Sequence, residues 1–247
     1  MDRTEQERME RMEASYWWHV GRRYLIERTL RRRFGDEATL KIVDVGCGTG
    51  GNMALLDQFG DVVGVEPPGP GLQICRQKGF TDERVVEGTA TSIPFDDETF
   101  DLATAFDVLE HLDDDAEGLE EIRRVLKPNG HFLLTVPAYR FLWSVHDESL
   151  GHRRRYVASE IHTKLNNAGF VVIRRSYAIS APLFGILGFR IAQGLLPAMA
   201  EQGASYVEVP TWVNQALVNT LKIEAKLLKA VDLPFGASIF ALARKRP

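Results

Sequence analysis

The chain has 247 residues, 45% hydrophobic and 26% charged, and this length and balance predict one soluble α/β domain with an insertion. A formal net charge of −4 argues against general nucleic-acid binding, because proteins of that class usually carry a basic excess. Two cysteines exclude a disulfide framework, and the charged opening residues do not resemble a secretory signal, so we expect a reducing, cytoplasmic setting.

Apolar and aromatic residues recur at helical spacing over residues 2–33, which predicts one or two helices with Gly21 as the candidate break. The aromatic cluster Tyr16-Trp17-Trp18-His19 suits either packing on the core or lining a pocket. We expect packing for at least two of the four side chains.

A glycine-rich turn follows at residues 41–52, KIVDVGCGTGGN. Its β-branched opening predicts a strand buried on both faces, and a helix is predicted from about Asn52. The glycines permit positive φ angles and close approach of a ligand to the backbone, while the helix N-terminus favours an electron-rich group. The turn therefore predicts a nucleotide site. Gly46, Gly48 and Gly51 also satisfy G-x-G-x-x-G, so an NAD-dependent oxidoreductase is the competing interpretation.

Strands and helices alternate after this turn. Predicted strands lie at residues 62–65, 84–87, 100–106, 131–136 and 171–177, and predicted helices at residues 53–59, 72–78, 113–126 and 159–167. The alternation predicts an α/β fold with a doubly wound, mostly parallel sheet of seven strands. Ligands of such sheets bind beyond the carboxyl ends of the strands, so the glycine turn, Glu66 and residues 107–111 and 138–152 should share one cleft.

Residues 178–236 break the alternation, and residues 238–243 are predicted as the last strand. We predict a helical cap at residues 1–36, a core at residues 37–177 and 237–247, and a lid at residues 178–236. The lid should end in an amphipathic helix over residues 212–231, with inward side chains at Val213, Leu217, Leu221, Leu228 and Val231. The apolar run at residues 181–200 contains Arg190 and Gln193, which favours a surface-lying element over a membrane span and leaves peripheral membrane contact as an alternative.

Several sequence blocks occur in order between about residues 41 and 170, namely VDVGCGTGGN, VGVEP, EGTATSIPFDDETFDLATAFDVLEHL and LKPNGHFLLTVP. They resemble the class I S-adenosylmethionine-dependent methyltransferases. The resemblance implies a Rossmann-like sheet whose antiparallel last strand is inserted beside the sixth, a helical cap, and S-adenosylmethionine as cofactor. A protein that keeps the cofactor fold without catalysis is a further alternative.

The resemblance also implies which residues surround the cofactor. Asp44 and the glycine turn would hold the methionine part, and Glu66 would accept hydrogen bonds from both ribose hydroxyls. Thr89 stands where relatives often carry Asp, which leaves the Ala90 amide as the adenine contact. The expected set is Asp44, Gly46, Cys47, Gly48, Thr49, Gly50, Asn52, Glu66, Pro67, Thr89, Ala90, Phe106 and Asp107.

Histidines and carboxylates follow on the acceptor side of the predicted cleft. His111, His146 and His152 are candidate general bases for a hydroxyl acceptor. The chain also resembles plant-type small-RNA 2′-O-methyltransferases and ubiquinone-pathway O-methyltransferases, which implies Glu110, His111 and His152 as ligands of a divalent metal, with Asp107 as a further ligand. The alternative is that the Glu-His pair only shapes the cofactor pocket.

Three arginines, Arg153 to Arg155, suit an anionic group on the acceptor, or else pair with nearby acids. We therefore expect methyl transfer to a small-molecule acceptor, at a hydroxyl oxygen, with an apolar part or an anionic group. The sequence leaves the oligomeric state open.

Overall fold

The computed structural model describes residues 12–188 and 209–247, which form a seven-stranded sheet in the order β3-β2-β1-β4-β5-β7-β6. The strands are β1 Leu40–Val45, β2 Gly60–Glu66, β3 Val85–Glu87, β4 Phe100–Phe106, β5 Leu126–Pro137, β6 Phe170–Ala178 and β7 Ser238–Lys245. Pairings among the first five strands are parallel, whereas β7 runs antiparallel to both β5 and β6. The predicted fold class and the place of the last strand are confirmed.

Helices cover both faces of the sheet. They are α1 Trp17–Phe34, α2 Met53–Leu56, α3 Pro70–Gln77, α4 Asp115–Val125, α5 Val145–Leu150, α6 Ala158–Asn167 and α7 Thr211–Leu227. Neighbouring strand residues point to opposite faces, and Ile42 and Val43 of β1 are both fully buried in different core clusters. Helices α1, α2, α3 and α7 supply the first cluster, and α4 and α6 supply the second. A strand buried on both faces explains the continuous apolar run of β1.

Gly21 does not interrupt the first helix, contrary to the prediction. It lies inside α1 and is buried. A Cβ atom built on Gly21 would stand 2.2 Å from Cδ1 of Leu221 in α7. The glycine therefore permits close packing of the two helices, and this tertiary contact outweighs its low helix propensity.

Three predicted helix ends are also wrong. Helix α2 ends at Leu56 rather than at residue 59, because Phe59 already accepts a hydrogen bond from the Leu40 backbone N–H and joins the sheet. Helix α4 ends at Val125, because Leu126 is already paired with Phe100 of β4. Helix α7 ends at Leu227.

Val231, which was predicted to face inward, lies beyond the end of α7 and is 61% exposed. Strand β5 begins at Leu126 rather than at residue 131, because Leu126 already pairs with Phe100. The remaining predicted strands and helices begin and end within a few residues of their predicted bounds.

Within residues 12–188 and 209–247, no helix has the length and apolar character needed to cross a bilayer. Residues 189–200 of the predicted apolar run and residues 2–11 of the predicted cap lie outside the described residues. The division of the chain into cap, core and lid stays a prediction.

Candidate functional site

A cavity of about 920 Å³ opens at the carboxyl ends of the parallel strands. Its floor comes from the turn after β1, from Glu66 at the end of β2, from Phe106 at the end of β4 and from Pro137 at the end of β5. Its cover comes from the first helix and the insertion, through Tyr16, Trp17, Trp18, His19, Arg22, Ala181, Pro182, Gly185, Ile186, Val209, Val213 and Leu217. The structure thus brings the predicted cleft segments together and covers them with apolar side chains.

The glycine turn forms a wall of bare backbone. Gly46 and Gly48 have φ angles of 67° and 61°, in the left-handed region that favours glycine. A Cβ atom on Gly46 would stand 2.7 Å from Val108 Cγ2, so no larger residue fits between β1 and the loop after β4. The Gly48 N–H donates a hydrogen bond of 2.8 Å to Glu66 Oε2. The turn and the end of β2 are therefore tied together at the cavity wall.

Glu66 lines the cavity although its residue surface is only 8% exposed. Burial raises the pKa of its carboxyl to about 7, the Gly48 N–H partly opposes this rise, and the nearby Asp44 carboxyl adds to it. Near neutral pH, the protonated carboxyl and the carboxylate are therefore both populated. The carboxylate is the form that can accept two hydroxyl hydrogen bonds.

Asp44 lies behind the glycine turn and does not line the cavity, and its predicted place beside the cofactor stays a prediction. It is buried, and its Oδ1 accepts a hydrogen bond of 2.6 Å from Thr104 Oγ1 on the neighbouring strand β4. Its Oδ2 has no hydrogen-bond partner among the described residues. Burial raises the pKa of Asp44 to about 7. Asp44 supports the turn from below.

Three other predicted cofactor contacts are likewise absent from the cavity lining. Thr49 is buried and donates to Glu13 Oε1 at 2.6 Å, and Gly50 packs against Phe80. Thr89 Oγ1 lies 3.3 Å from Thr91 Oγ1, within a turn closed on Ser92. The remaining members of the predicted set line the cavity, namely Gly46, Cys47, Gly48, Asn52, Glu66, Pro67, Ala90, Phe106 and Asp107.

Arg22 lines the cavity and escaped the sequence analysis. From α1 it reaches Asp107 Oδ2 and forms an ion pair, while Thr135 Oγ1 donates to Asp107 Oδ1 at 3.0 Å. Asp107 itself has a φ of 58°, an uncommon conformation that is typical of functional turns. The sequence did contain one indication of this role. Arg22 is four residues after Trp18 and therefore lies on the same helix face as that aromatic residue.

Glu110, His111 and His152 meet on one wall of the cavity, and their ligand atoms all lie within 4.8 Å of one another. The Glu110 carboxyl is fully buried, and neither of its oxygens has a hydrogen-bond partner among the described residues. Burial raises the pKa of Glu110 well above its usual value, and the Asp107 carboxylate adds to this rise. Burial lowers the pKa of His111 to about 4, and the neighbouring His152 lowers it further. Near neutral pH, His111 is therefore neutral.

Asp147 orients His152. The Nδ1 atom of His152 lies 2.9 Å from Asp147 Oδ1, and its Nε2 atom lies 4.0 Å from Glu110 Oε1. Burial alone would raise the pKa of Asp147, but the hydrogen bond with His152 and the charge of Arg155 outweigh it and hold that pKa below its usual value. An ionised Asp147 fixes the proton of His152 on Nδ1, which leaves Nε2 as an acceptor that faces Glu110.

The three consecutive arginines bind groups within the protein, although Arg153 is exposed. The Arg153 N–H donates to the Glu110 carbonyl at 2.8 Å, and Arg154 donates to the carbonyls of Leu112 and Asp113. Arg155 donates to Asp147 Oδ1 at 2.7 Å and to the Ala138 carbonyl at 3.0 Å. These bonds favour the predicted alternative, in which the arginines pair within the protein, over recognition of an anionic acceptor.

His146, the third candidate base, lines the cavity with its ring centroid 6.4 Å from that of His152. The aromatic cluster lines the cavity with all four side chains, and Trp17 and His19 are also buried. The prediction that at least two of the four pack on the core is therefore confirmed, but packing and lining do not exclude each other here.

Comparison with known proteins agrees with this geometry. Residues 43–134 match the methyltransferase domain family. The chain is 32% identical over 120 residues to the uncharacterized methyltransferase YcgJ of Bacillus subtilis. The matched region covers 47% of this chain and 47% of that protein. It is 37% identical over 102 residues to the demethylmenaquinone methyltransferase of Lactiplantibacillus plantarum, which covers 37% of this chain and 43% of that protein.

The domain match over residues 43–134 and these relatives support a class I S-adenosylmethionine-dependent methyltransferase.

Among solved structures, this methyltransferase fold matches the complex of the Haloferax volcanii Trm112 methyltransferase activator with a methyltransferase. The TM-score is 0.63 at 20% identity, with 99% of this chain and 95% of that chain covered. That likeness concerns the fold. The chain spans about half the length of the curated relatives that it matches best.

Proposed function

We propose that this protein transfers a methyl group from S-adenosylmethionine to a hydroxyl oxygen of a small-molecule acceptor with an apolar part. One observation carries the proposal. The glycine turn with Glu66, and a histidine oriented by Asp147, line the same covered cavity at the carboxyl edge of the sheet.

The residues of the turn fit the cofactor. Bare backbone at Gly46 and Gly48 leaves room for the ligand, and Glu66 presents a carboxyl for paired hydroxyls. Arg22 and Asp107, which form an ion pair beside the turn, carry the two charges that an amino-acid zwitterion requires. When bound, S-adenosylmethionine supplies a methyl group on a positively charged sulfur.

The protein contributes orientation and a proton acceptor. The cover from α1 and the insertion excludes water and holds the acceptor in line with the methyl group. The Nε2 atom of His152, on the side of the ring away from the Asp147 contact to Nδ1, takes the hydroxyl proton as the acceptor oxygen bonds to the methyl carbon and the bond from that carbon to sulfur breaks. His111 is neutral near pH 7 and is the second acceptor within reach of the cluster.

A divalent cation is a further candidate ligand at this wall of the cavity. The observation that supports it is that, among the described residues, neither carboxyl oxygen of Glu110 has a hydrogen-bond partner. Glu110, His111 and His152 would hold it, and Asp147 would orient His152 from behind, as carboxylates commonly do for histidine ligands. Such an ion lowers the pKa of a coordinated hydroxyl. Elemental analysis and EDTA treatment test this: full activity of metal-free protein would exclude the ion, and activity restored by one added cation would support it.

The apolar side of the cavity supports an acceptor with an apolar part. Ile186, Val209, Val213 and Leu217 line it, and the demethylmenaquinone methyltransferases among the relatives carry names that fit an apolar small molecule. Peripheral contact with a membrane and a cytoplasmic location belong to this proposal.

Binding and turnover test the proposal in sequence. Calorimetry should show tight binding of S-adenosylhomocysteine and none of NADH, and binding of NADH alone would identify an oxidoreductase instead. Incubation with labelled S-adenosylmethionine and hydroxylated aromatic or apolar acceptors should then give a product whose mass has increased by one methylene unit. Cofactor binding without methyl transfer to any acceptor in a cell extract would favour the non-catalytic alternative.

A further inference from the structure

Helix α7 carries an apolar face that points to solvent. Trp212, Ile223 and Leu227 are 75%, 58% and 59% exposed. At about 100° per residue, the three side chains fall within about 60° of one another around the helix. Val218, Leu221 and Ala225 lie on the opposite side and are buried against the core. The exposed face is therefore a stripe rather than scattered residues, which in soluble proteins marks an interaction surface.

The surroundings of this stripe are cationic. Lys226 and Lys229 are exposed beside it, and Lys222 and Arg28 both lie over the Tyr24 ring, at 5.8 Å and 5.6 Å. Arg32 donates to the Lys229 carbonyl from the neighbouring helix α1. Among residues 12–188 and 209–247, none of these five cations forms an ion pair with an acid. Lys226 and Lys229 are exposed and can meet an external anionic surface, whereas Lys222 and Arg28 contact Tyr24 and Arg32 is bound to the Lys229 carbonyl.

Within Thr211–Leu227, no acidic side chain lies on the outward face. The one acid of α7, Glu224, is buried, and its carboxylate accepts N–H groups of Ile179 and Ser180. Together α1 and α7 contain six arginines and two lysines against two glutamates, whereas the whole chain has a net charge of −4. The positive charge is thus concentrated on the two helices that cover the cavity.

We propose that the outward face of α7 together with the turn that follows it, defined by Trp212, Ile223, Leu227, Lys226 and Lys229, docks on an anionic lipid bilayer. An interfacial helix combines an apolar face bearing Trp and aliphatic residues with flanking Lys or Arg, and α7 has this arrangement. Charge complementarity selects anionic headgroups as the occupant.

Docking would bring the cavity to the membrane. Val213 and Leu217 of α7 line the cavity on the side adjoining the outward face. An acceptor dissolved in the bilayer would then reach the active site along α7, and this consequence rests on the proposed methyl transfer. The docking of α7 on a bilayer does not depend on the proposed methyl transfer.

Vesicle flotation of the full chain tests the proposal. We expect binding to vesicles of equal parts phosphatidylcholine and phosphatidylglycerol, weak binding to phosphatidylcholine alone, and loss of binding in about 1 M salt, where charges are screened beyond about 3 Å. Replacing Lys226 and Lys229 by Ser should weaken binding about 30-fold, since each surface lysine contributes about fivefold. Ile223→Ser with Leu227→Ser should weaken it at least tenfold.

Matched controls lie on the other face of the sheet. Val157, 40% exposed at the start of α6, and Arg123, exposed on α4, belong to elements of the second core cluster. Val157→Ser and Arg123→Ser should leave vesicle binding unchanged. The blue shift of tryptophan fluorescence on vesicle addition should disappear in Trp212→Phe.

Equal binding of neutral and anionic vesicles, or variants of α7 that bind like the controls, would overturn the proposal. So would a dimer in solution that Trp212→Ser dissociates, because the stripe would then be a protein interface. Calorimetry with S-adenosylhomocysteine on the same preparations is independent of lipid. A failure of docking is therefore distinguishable from a failure of the proposed function.

Discussion

Glu66 shows how burial and position set the chemistry of a single residue. It ends a parallel strand, where a ligand bound at the switch point meets it, and it accepts the Gly48 N–H of the glycine turn. A neighbouring carboxylate, Glu87, ends β3 in the same register but points to solvent. Two residues of one type at adjacent strand ends thus differ in burial, and only Glu66 lines the cavity.

Replacement of Glu66 should weaken cofactor binding. Glu66→Ala removes an acceptor for two hydroxyl hydrogen bonds, and a loss of about 2–3 kcal/mol corresponds to about 30- to 150-fold in the dissociation constant of S-adenosylhomocysteine. Calorimetry measures it. The matched variant Glu87→Ala should bind like the wild type, and equal affinity of both variants would remove Glu66 from the cofactor site.

Cofactor binding should depend on pH through the same residue. The pKa of Glu66 is about 7 in the ligand-free protein, and the carboxylate is the form that accepts both hydroxyls, so binding releases a proton below pH 7. Affinity for S-adenosylhomocysteine should fall as the pH drops from about 8 to about 6, by at most tenfold per pH unit for each such group. Glu66→Gln should have a shallower profile, and an unchanged slope would assign the proton to another group, such as Asp44.

Substitution of His152 should lower the rate of methyl transfer without changing the affinity for the cofactor. His152→Gln removes the acceptor nitrogen, and the transfer rate should fall about 100-fold or more, because general-base catalysis contributes on that scale. The affinity for S-adenosylhomocysteine should stay unchanged. His162→Gln, on α6 and outside the cavity lining, is the control. A His152→Gln protein with full activity would leave His146 or His111 as the base.

At the scale of elements, the packing of α1 against α7 closes the cavity. Their contact depends on Gly21, beside which Leu221 fills the space that a side chain would need. Leu221 is buried in the same cluster as Leu25 and Ile26 of α1. The insertion is therefore anchored to the sheet through the first helix, although the two segments lie far apart in the sequence.

An added methyl group at this contact should separate the two helices. Gly21→Ala should lower the free energy of unfolding by about 1–3 kcal/mol through overpacking, as measured by urea denaturation. Leu221→Ala in the same chain should recover part of this loss, because it removes the Cδ1 and Cγ atoms and leaves only the Cβ atom at 2.8 Å. Gly188→Ala, at a position with no atom within 4 Å of the added Cβ, should cost little. Additive effects of Gly21→Ala and Leu221→Ala would show that the two residues are not coupled.

For the whole molecule, ligand binding should raise the free energy of unfolding. S-adenosylhomocysteine at a concentration of about 100 times its dissociation constant should add about 2.7 kcal/mol to the free energy of unfolding. For a domain of this size, that corresponds to a rise of about 5–10 °C in the midpoint of thermal unfolding. NADH at the same concentration should leave the midpoint unchanged, and a shift with NADH alone would reverse the choice of cofactor.

The sequence predicted the sheet and the cofactor turn well because their signals are local. Runs of β-branched residues, glycines at fixed offsets and a carboxylate at a strand end act through the backbone within a few residues. Helix ends were less accurate, since α2 and α4 are cut short by strand pairing with residues distant in the sequence. Direct contact with the cavity was also predicted for Asp44, Thr49, Gly50 and Thr89, whose neighbours turn them away from it.

The sequence by itself therefore determined the fold class, the cofactor turn and the carboxylate-histidine residues of the acceptor wall. Only the tertiary structure decided how these residues are used. Arg22 pairs with Asp107 across 85 positions of the chain, Asp147 orients His152, and the three arginines bind backbone and acid groups within the protein. Such pairings form only where folding brings a donor and an acceptor from distant segments within about 3 Å of each other. The residue pattern within one segment does not predict the distance to another segment.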